Sequence, residues 1–378
     1  MPATVTRREA LAALGGLACS VLLHRRAGAA GPWPGYGRAV VIDGCGAPGN
    51  SVSMGTGALS AEAVEDVRRS GLTAIGITVG PVGTLAPDAA FAQAVADIAF
   101  WEAQIDANPG VLARVRSVAD LDAARQAGRT GLLYAFQDAV AFETDLARLE
   151  TFHRLGVRVV QPTYNRRNLL GDGCLEPSNA GLSRDGVQAI ERMNELGILV
   201  DLSHCGRQTA GDAIRASKQP VAFTHTGCAA LADHPRNRTD AELRAVAGRG
   251  GVCGVYFMPY LDVGRQANSQ LVIRHLEHML DVAGEDHVSL GTDGGVSAEQ
   301  VDDAYRARFA EITRMRQEAG IAAPGETETG YVFASDLNTP RRFETLATLL
   351  SARGHGDARI EKILGGNLRR VFAATWRA

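Results

Sequence analysis

An alternation along the chain restricts the fold more than any other feature. Eight short β-branched or apolar runs recur at 39–43, 72–79, 130–136, 157–163, 198–203, 220–224, 251–256 and 287–291. Between them lie stretches with apolar residues at i, i+3 and i+4, among them 61–70, 90–108, 146–155, 184–196, 207–217, 240–247 and 269–283. Runs that are almost wholly apolar are buried on both faces, which is the condition of a parallel sheet wrapped in helices. Eight such strands is the barrel number. The pattern predicts an α/β fold, a single (β/α)8 TIM barrel over residues 30–378, closed by C-terminal helices at 341–353 and 360–372. A doubly wound open sheet is the competing arrangement. The chain can fill such a core, since 46% of its 378 residues are hydrophobic and only 21% are charged, which also excludes a disordered, collagenous or coiled-coil chain. Between 297 and 340 the pattern loosens, and 320–339 reads as a long loop, either a lid or a surface excursion.

The start of the chain reads differently. Arg7-Arg8 precede a short apolar stretch from Ala10 to Leu23, followed by Ala27-Gly28-Ala29. A charged start, an apolar stretch and an A-x-A-like site describe a secretory signal, and the paired arginines suggest the twin-arginine route for folded proteins. The expectation is a signal peptide over 1–29 and a periplasmic or secreted protein. Its removal takes four Arg and one Glu and moves the net charge from −3 to −6. With no basic block, a nucleic-acid partner is set aside, and no later run of 18 apolar residues predicts a transmembrane helix. Five cysteines remain, at 45, 174, 205, 228 and 253. That odd number argues against a full disulfide framework and leaves at least one thiol free or acting as a ligand.

In a barrel of this kind the functional face lies at the carboxyl ends of the strands. The residues at those ends are Cys45, Gln137, Tyr164, His204, His225 and Asp293. Imidazoles at successive strand ends, with a carboxylate converging on the same mouth, can hold a zinc ion and activate a water. The alternative is that each imidazole only hydrogen-bonds within a polar loop. His275 and His278, three apart on one helix, read as a solvated outer face, and His234 as packing or capping near Arg236. No phosphate loop or G-x-S-x-G elbow is present.

Several motifs, in order, carry a resemblance: Asp201-Leu202-Ser203-His204, Phe223-Thr224-His225-Thr226, Asp233-His234-Pro235-Arg236-Asn237, the run 287–293 and Leu364-Gly365-Gly366-Asn367. Together they are similar to the membrane (renal-type) dipeptidases of the amidohydrolase superfamily, across nearly the whole chain after residue 39. The resemblance implies a metallo-dependent hydrolase barrel, two zinc ions, dipeptide substrates and, often, a homodimer.

Matched residue by residue, the family's ligand set is incomplete here. Its first-strand His-x-Asp falls on Cys45 and Ala47, and its metal-bridging Glu on Gln137, a neutral amide that supplies no charge to screen two dications. A family His that contacts the reacting carbonyl falls on Tyr164. His204, His225 and Asp293 are kept, as is Arg236, which in the family binds the substrate carboxylate; Asn237 beside it is read with it as substrate-binding. The implied centre is one zinc rather than two, on His204 and His225, with Cys45 or Asp293 third and Gln137 as a weaker candidate. For Cys45 the other reading is a small buried residue in a turn set by Gly46 and Pro48. In the hydrolase reading Asp293 moves the proton, Tyr164 donates to the oxyanion and Arg236 clamps a carboxylate. Two further readings stay open. One is a barrel that has lost catalysis and binds a small carboxylate ligand; the other is a metal-free acid–base enzyme using Tyr164, His204 and Asp293.

Overall fold

The computed structural model describes residues 31–50, 57–83 and 85–377; the expected signal peptide lies outside the described residues. Eight strands form the ring: β1 (Ile42–Asp43), β2 (Ala74–Thr78), β3 (Thr130–Phe136), β4 (Val157–Val160), β5 (Leu199–Asp201), β6 (Val221–Cys228), β7 (Val252–Val255) and β8 (Val288–Leu290). They pair in chain order, and every pairing is parallel. The first and last are joined as well. Gly44 N–H donates to the Leu290 carbonyl at 2.9 Å, and Gly46–Ala47 pairs in parallel with Gly294–Gly295. The (β/α)8 expectation is met, and the open doubly wound sheet is not.

Helices follow the strands as α1 (Ala61–Ser70), α2 (Pro87–Ala107), α3 (Val118–Gln126), α4 (Leu146–Leu155), α5 (Arg184–Leu196), α6 (Arg207–Ala216), α7 (Asp240–Gly248), α8 (Ser269–Ala283), α9 (Asp303–Glu318), α10 (Arg342–Ala352), α11 (Asp357–Glu361) and α12 (Asn367–Thr375). Local sequence sets their ends. Ser60 and Ser183 accept from the first-turn amides of α1 and α5, and Thr239 with Glu242 forms a capping box on α7. Two helices depart from expectation. Helix α3 follows a three-residue strand, Leu112–Arg114, that pairs with the start of β3, and the 16 residues of α9 lie within the stretch 297–340 over which the pattern loosens. Only Tyr305 and Thr313 of α9 are buried, so it carries almost no apolar periodicity to detect.

Two apolar layers hold the barrel together. One lies between strands and outer helices. The other gathers Ile42, Ala74, Leu133, Val159, Leu199, Ala222 and Val252, one from each of the first seven strands, against Leu368, Val371, Phe372 and Trp376 at the chain's end. Helix α12 thus plugs the amino end of the barrel and leaves the carboxyl end open. The Leu364–Asn367 motif makes this possible: a Cβ on Gly365 would lie 2.6 Å from the Val40 carbonyl, and the Asn367 amide donates to the Glu285 and Val288 carbonyls at 2.8 Å each. Phe372 is 1% exposed and stacks on Trp376 with centroids 4.1 Å apart. Phe372→Ala is expected to destabilise the fold by about 3–5 kcal/mol, read as a lower denaturant midpoint at unchanged slope.

Candidate active site

The carboxyl ends of β5 and β6 fix two imidazoles. Strand β6 runs four residues past the expected end, so His225 projects from the strand itself; His204 follows β5 by three residues. Beneath them Asp201 accepts from Ser203 Oγ at 2.6 Å and Thr224 Oγ1 at 2.5 Å. Thr224 spends its proton there, so its oxygen accepts from His225 Nδ1 at 2.8 Å. His204 Nδ1 donates to Asn165 Oδ1 at 2.6 Å, and the Asn165 amide nitrogen is fixed by the Ile321 carbonyl at 2.8 Å. With both Nδ1 atoms donating, both Nε2 atoms carry lone pairs, and they face each other at 3.0 Å. Burial first, then the Arg236 guanidinium, holds both imidazoles well below their ordinary pKa, so both are neutral. Two acceptors aimed at one point without a proton between them is what a shared cation requires, and orientation through Nδ1 is how metal-ligating histidines are held.

The ends of β1 and β8 add a second set. Asp43 accepts from Thr292 N at 2.8 Å and Thr292 Oγ1 at 2.6 Å, and Asp293 N donates to the Cys45 carbonyl at 2.8 Å. Asp293 takes a left-handed backbone, φ 56°, uncommon for a residue other than glycine and frequent at functional sites. Cys45 Sγ lies 3.8 Å from Asp293 Oδ1 and 3.5 Å from Gln137 Nε2. Ligand atoms of Cys45, His225 and Asp293 all lie within 4.8 Å of one another. Burial pushes the Asp293 carboxyl up to about 6 against the pull of Arg236 and Arg316.

Two cavities share Asp293. One, of about 330 Å³, is lined by Tyr164, His204, Arg236, Tyr260, Arg316 and Glu326 among others; the second, of about 300 Å³, reaches Cys45, Gln137, Phe100 and Trp101. Tyr164 stacks on His204 with centroids 4.0 Å apart, and its hydroxyl accepts from Arg316 Nη1 at 3.1 Å. A guanidinium has no acceptor, so the phenol proton is free to be given elsewhere. Burial raises the Tyr164 pKa, which keeps that proton in place. Arg236 is 1% exposed; its Nη1 donates to the Ser203 carbonyl, while its Nη2 is buried with no partner.

Two expectations are corrected. Asn237 donates to the Ala232 and Tyr260 carbonyls at 2.8 and 2.9 Å and accepts from the Tyr256 hydroxyl; it lines neither cavity. With every side-chain polar atom engaged, it anchors the loop behind Arg236 and has nothing left for substrate. His275 is not on a solvated face but fully buried, accepting from Cys228 N and donating to the Leu261 carbonyl, each at 2.9 Å; of the pair only His278 is partly exposed, against Asp240. His234 packs as read, stacked on Tyr260 at 4.4 Å beside Arg236. All five described cysteines are free.

Sequence reasoning missed Asn165, Arg316, Glu326 and Tyr260. Arg316 on α9 pairs two-pronged with Glu326 of the long loop at 2.7 and 2.9 Å, and Tyr260 donates to the same carboxylate at 2.7 Å. This bracket closes one side of the larger cavity, so the 320–339 loop lines the mouth and is more than a surface excursion. Its only sequence signal is a glutamate in a glycine-rich loop.

Comparison with known proteins completes the picture. The model of the membrane dipeptidase family, peptidase family M19, matches residues 62–322. Dipeptidase verJ of Clonostachys rogersoniana is 31% identical over 227 residues, 59% of this chain, and the match spans half of verJ's own length. An uncharacterized protein in the pqqA 5′ region of Klebsiella pneumoniae is 30% identical over 272 residues, covering 69% of this chain and 88% of that one. A solved amidohydrolase from Pseudomonas aeruginosa superposes with a TM-score of 0.77 at 32% identity, covering 90% of this chain and 98% of its own. The match over most of the barrel, together with the paired imidazoles and the buried arginine, shows that the chain belongs to the membrane dipeptidase family.

Proposed function

We propose that the protein is a metal-dependent hydrolase of a dipeptide or a similar small amide bearing a free carboxylate, working with one zinc rather than two. The observation that carries this reading is the pair of neutral imidazoles whose Nε2 lone pairs face each other at 3.0 Å. The donor set fits one ion and not two. The positions that complete a second centre in the family hold an aliphatic Ala47 and an uncharged Gln137, so nothing there offsets the repulsion of a second dication. Zinc bound by His204 and His225 would supply Lewis-acid polarisation of the scissile carbonyl and a lowered pKa for the attacking water.

The remaining roles belong to the chain's own groups. Asp293, whose carboxyl burial pushes up to about 6, takes the proton of the attacking water and returns it to the leaving amine. Tyr164 keeps its phenol proton and stands in the same cavity, placed to donate to the oxygen that becomes negative. The unpartnered Arg236 Nη2 supplies a buried charge for the substrate carboxylate. Glu326 holds Arg316 against the tyrosine and does not compete for that carboxylate.

A panel of dipeptides and their C-terminal amides tests the reading. The expected outcome is hydrolysis of free-carboxylate dipeptides, lost on exhaustive chelation and restored by zinc. Turnover that survives chelation would move the protein to the metal-free acid–base reading, and ligand-induced stabilisation without turnover to the binding-barrel reading.

A further inference from the structure

We propose that Cys45 is a metal ligand, its thiolate joining His225 at the single centre and taking over charge compensation from the carboxylates this chain lacks. The inference rests on the one-metal reading and departs from the family pattern, where a histidine stands at this position.

Three observations carry it. The sulfur has polar partners on two sides, Gln137 Nε2 at 3.5 Å and Asp293 Oδ1 at 3.8 Å. Its direction is set by the main chain of the ring closure. Cys45 N donates to Asp43 Oδ1 at 3.3 Å, its carbonyl accepts from Asp293 N at 2.8 Å, and its neighbour Gly44 donates to Leu290. Held on both sides, the side chain lines the second cavity together with Asp293. Finally, Sγ lies within 4.8 Å of the ligand atoms of both His225 and Asp293. Tetrahedral zinc with Zn–S of about 2.3 Å and Zn–N of about 2.0–2.1 Å places such atoms between three and four ångströms apart, a closure that a change in the Cys45 χ1 torsion, about Cα–Cβ, can make.

Charge decides between this role and a neutral thiol. Two imidazoles and an amide bring no negative charge to a buried dication, and the buried Arg236 guanidinium adds positive charge to the same cavity as His204; of the nearby carboxylates, Asp43 is held on Thr292 and Asp201 on Ser203 and Thr224, which leaves Asp293 as the one grouped with the ligand atoms. An isolated charge in such a site is strongly unfavourable. A thiolate supplies one negative charge next to Asp293, which supplies the other. On binding, the thiol proton passes to solvent, so uptake of the metal by this chain releases a proton that a serine variant would not release.

Cobalt(II) loaded into the metal-free full chain tests this through absorption, independently of activity. The expected spectrum has visible ligand-field bands together with a near-ultraviolet sulfur-to-cobalt charge-transfer band. In Cys45→Ser and Cys45→Ala, checked for native circular dichroism, the near-ultraviolet band should be lost. Visible bands without a charge-transfer band in the unaltered protein would overturn the thiolate ligand and leave the one-metal centre standing. A charge-transfer band that survives in both variants would also overturn it. No visible band at all would overturn both the ligand and the centre on which it rests.

Discussion

Asp293→Asn is expected to lower kcat by about 10²–10⁴-fold while leaving KM near its original value. The amide keeps the size of the carboxylate and its backbone position, with N–H still on the Cys45 carbonyl, but it cannot accept a proton. The size of the loss is what general acid–base catalysis contributes, about 2.7–5.4 kcal/mol at 1.36 kcal/mol per tenfold. Metal content has to be measured on the same preparation, because Asp293 lies in the group with Cys45 and His225. Retained metal with lost kcat supports the proton-transfer role. Metal lost in proportion to activity would make Asp293 chiefly a ligand and contradict the assignment.

Arg236→Met should act on binding. Removing the buried guanidinium removes the only described partner for a substrate carboxylate in the larger cavity that has a nitrogen left over, Nη2. A charge-assisted hydrogen bond is worth about 1.5–3 kcal/mol, so KM for a free-carboxylate dipeptide should rise about 10–150-fold with kcat much less affected. The C-terminal amide of the same dipeptide provides the control. Wild type and variant should differ little on it, because the interaction is already absent, and the coupling between the two changes measures the pair directly. Some stability will be lost with the Ser203 carbonyl contact, and that loss is common to both substrates. An equal KM rise on the amide would contradict the clamp.

The barrel was legible because its cause is periodic. Eight apolar runs spaced by amphipathic helices leave few other ways to bury both faces of the strands, and seven of them meet in the inner layer as that argument requires. Helix α9 escaped because it lies over the mouth with two buried residues; its sequence answers to Glu326 and Tyr164 rather than to a core. The strand-end rule placed His204, His225, Cys45 and Asp293 at one mouth, since it depends only on where each strand stops. Adjacency in sequence misled for Asn237, which neighbours Arg236 but turns its amide into the loop. Helical spacing misled for His275, which resembled a polar face of α8 while both ring nitrogens are held by buried backbone. Chemistry assembled from elements distant in sequence, such as Tyr164 with Arg316 and Glu326, leaves no local signal to read.

Elemental analysis of the protein purified without chelator counts the metal held by His204 and His225. About one zinc per chain is expected, falling to none in the His204→Ala, His225→Ala double variant with its fold retained. Two zinc ions per chain would contradict the single centre, and none after incubation with excess zinc would contradict a metal centre altogether.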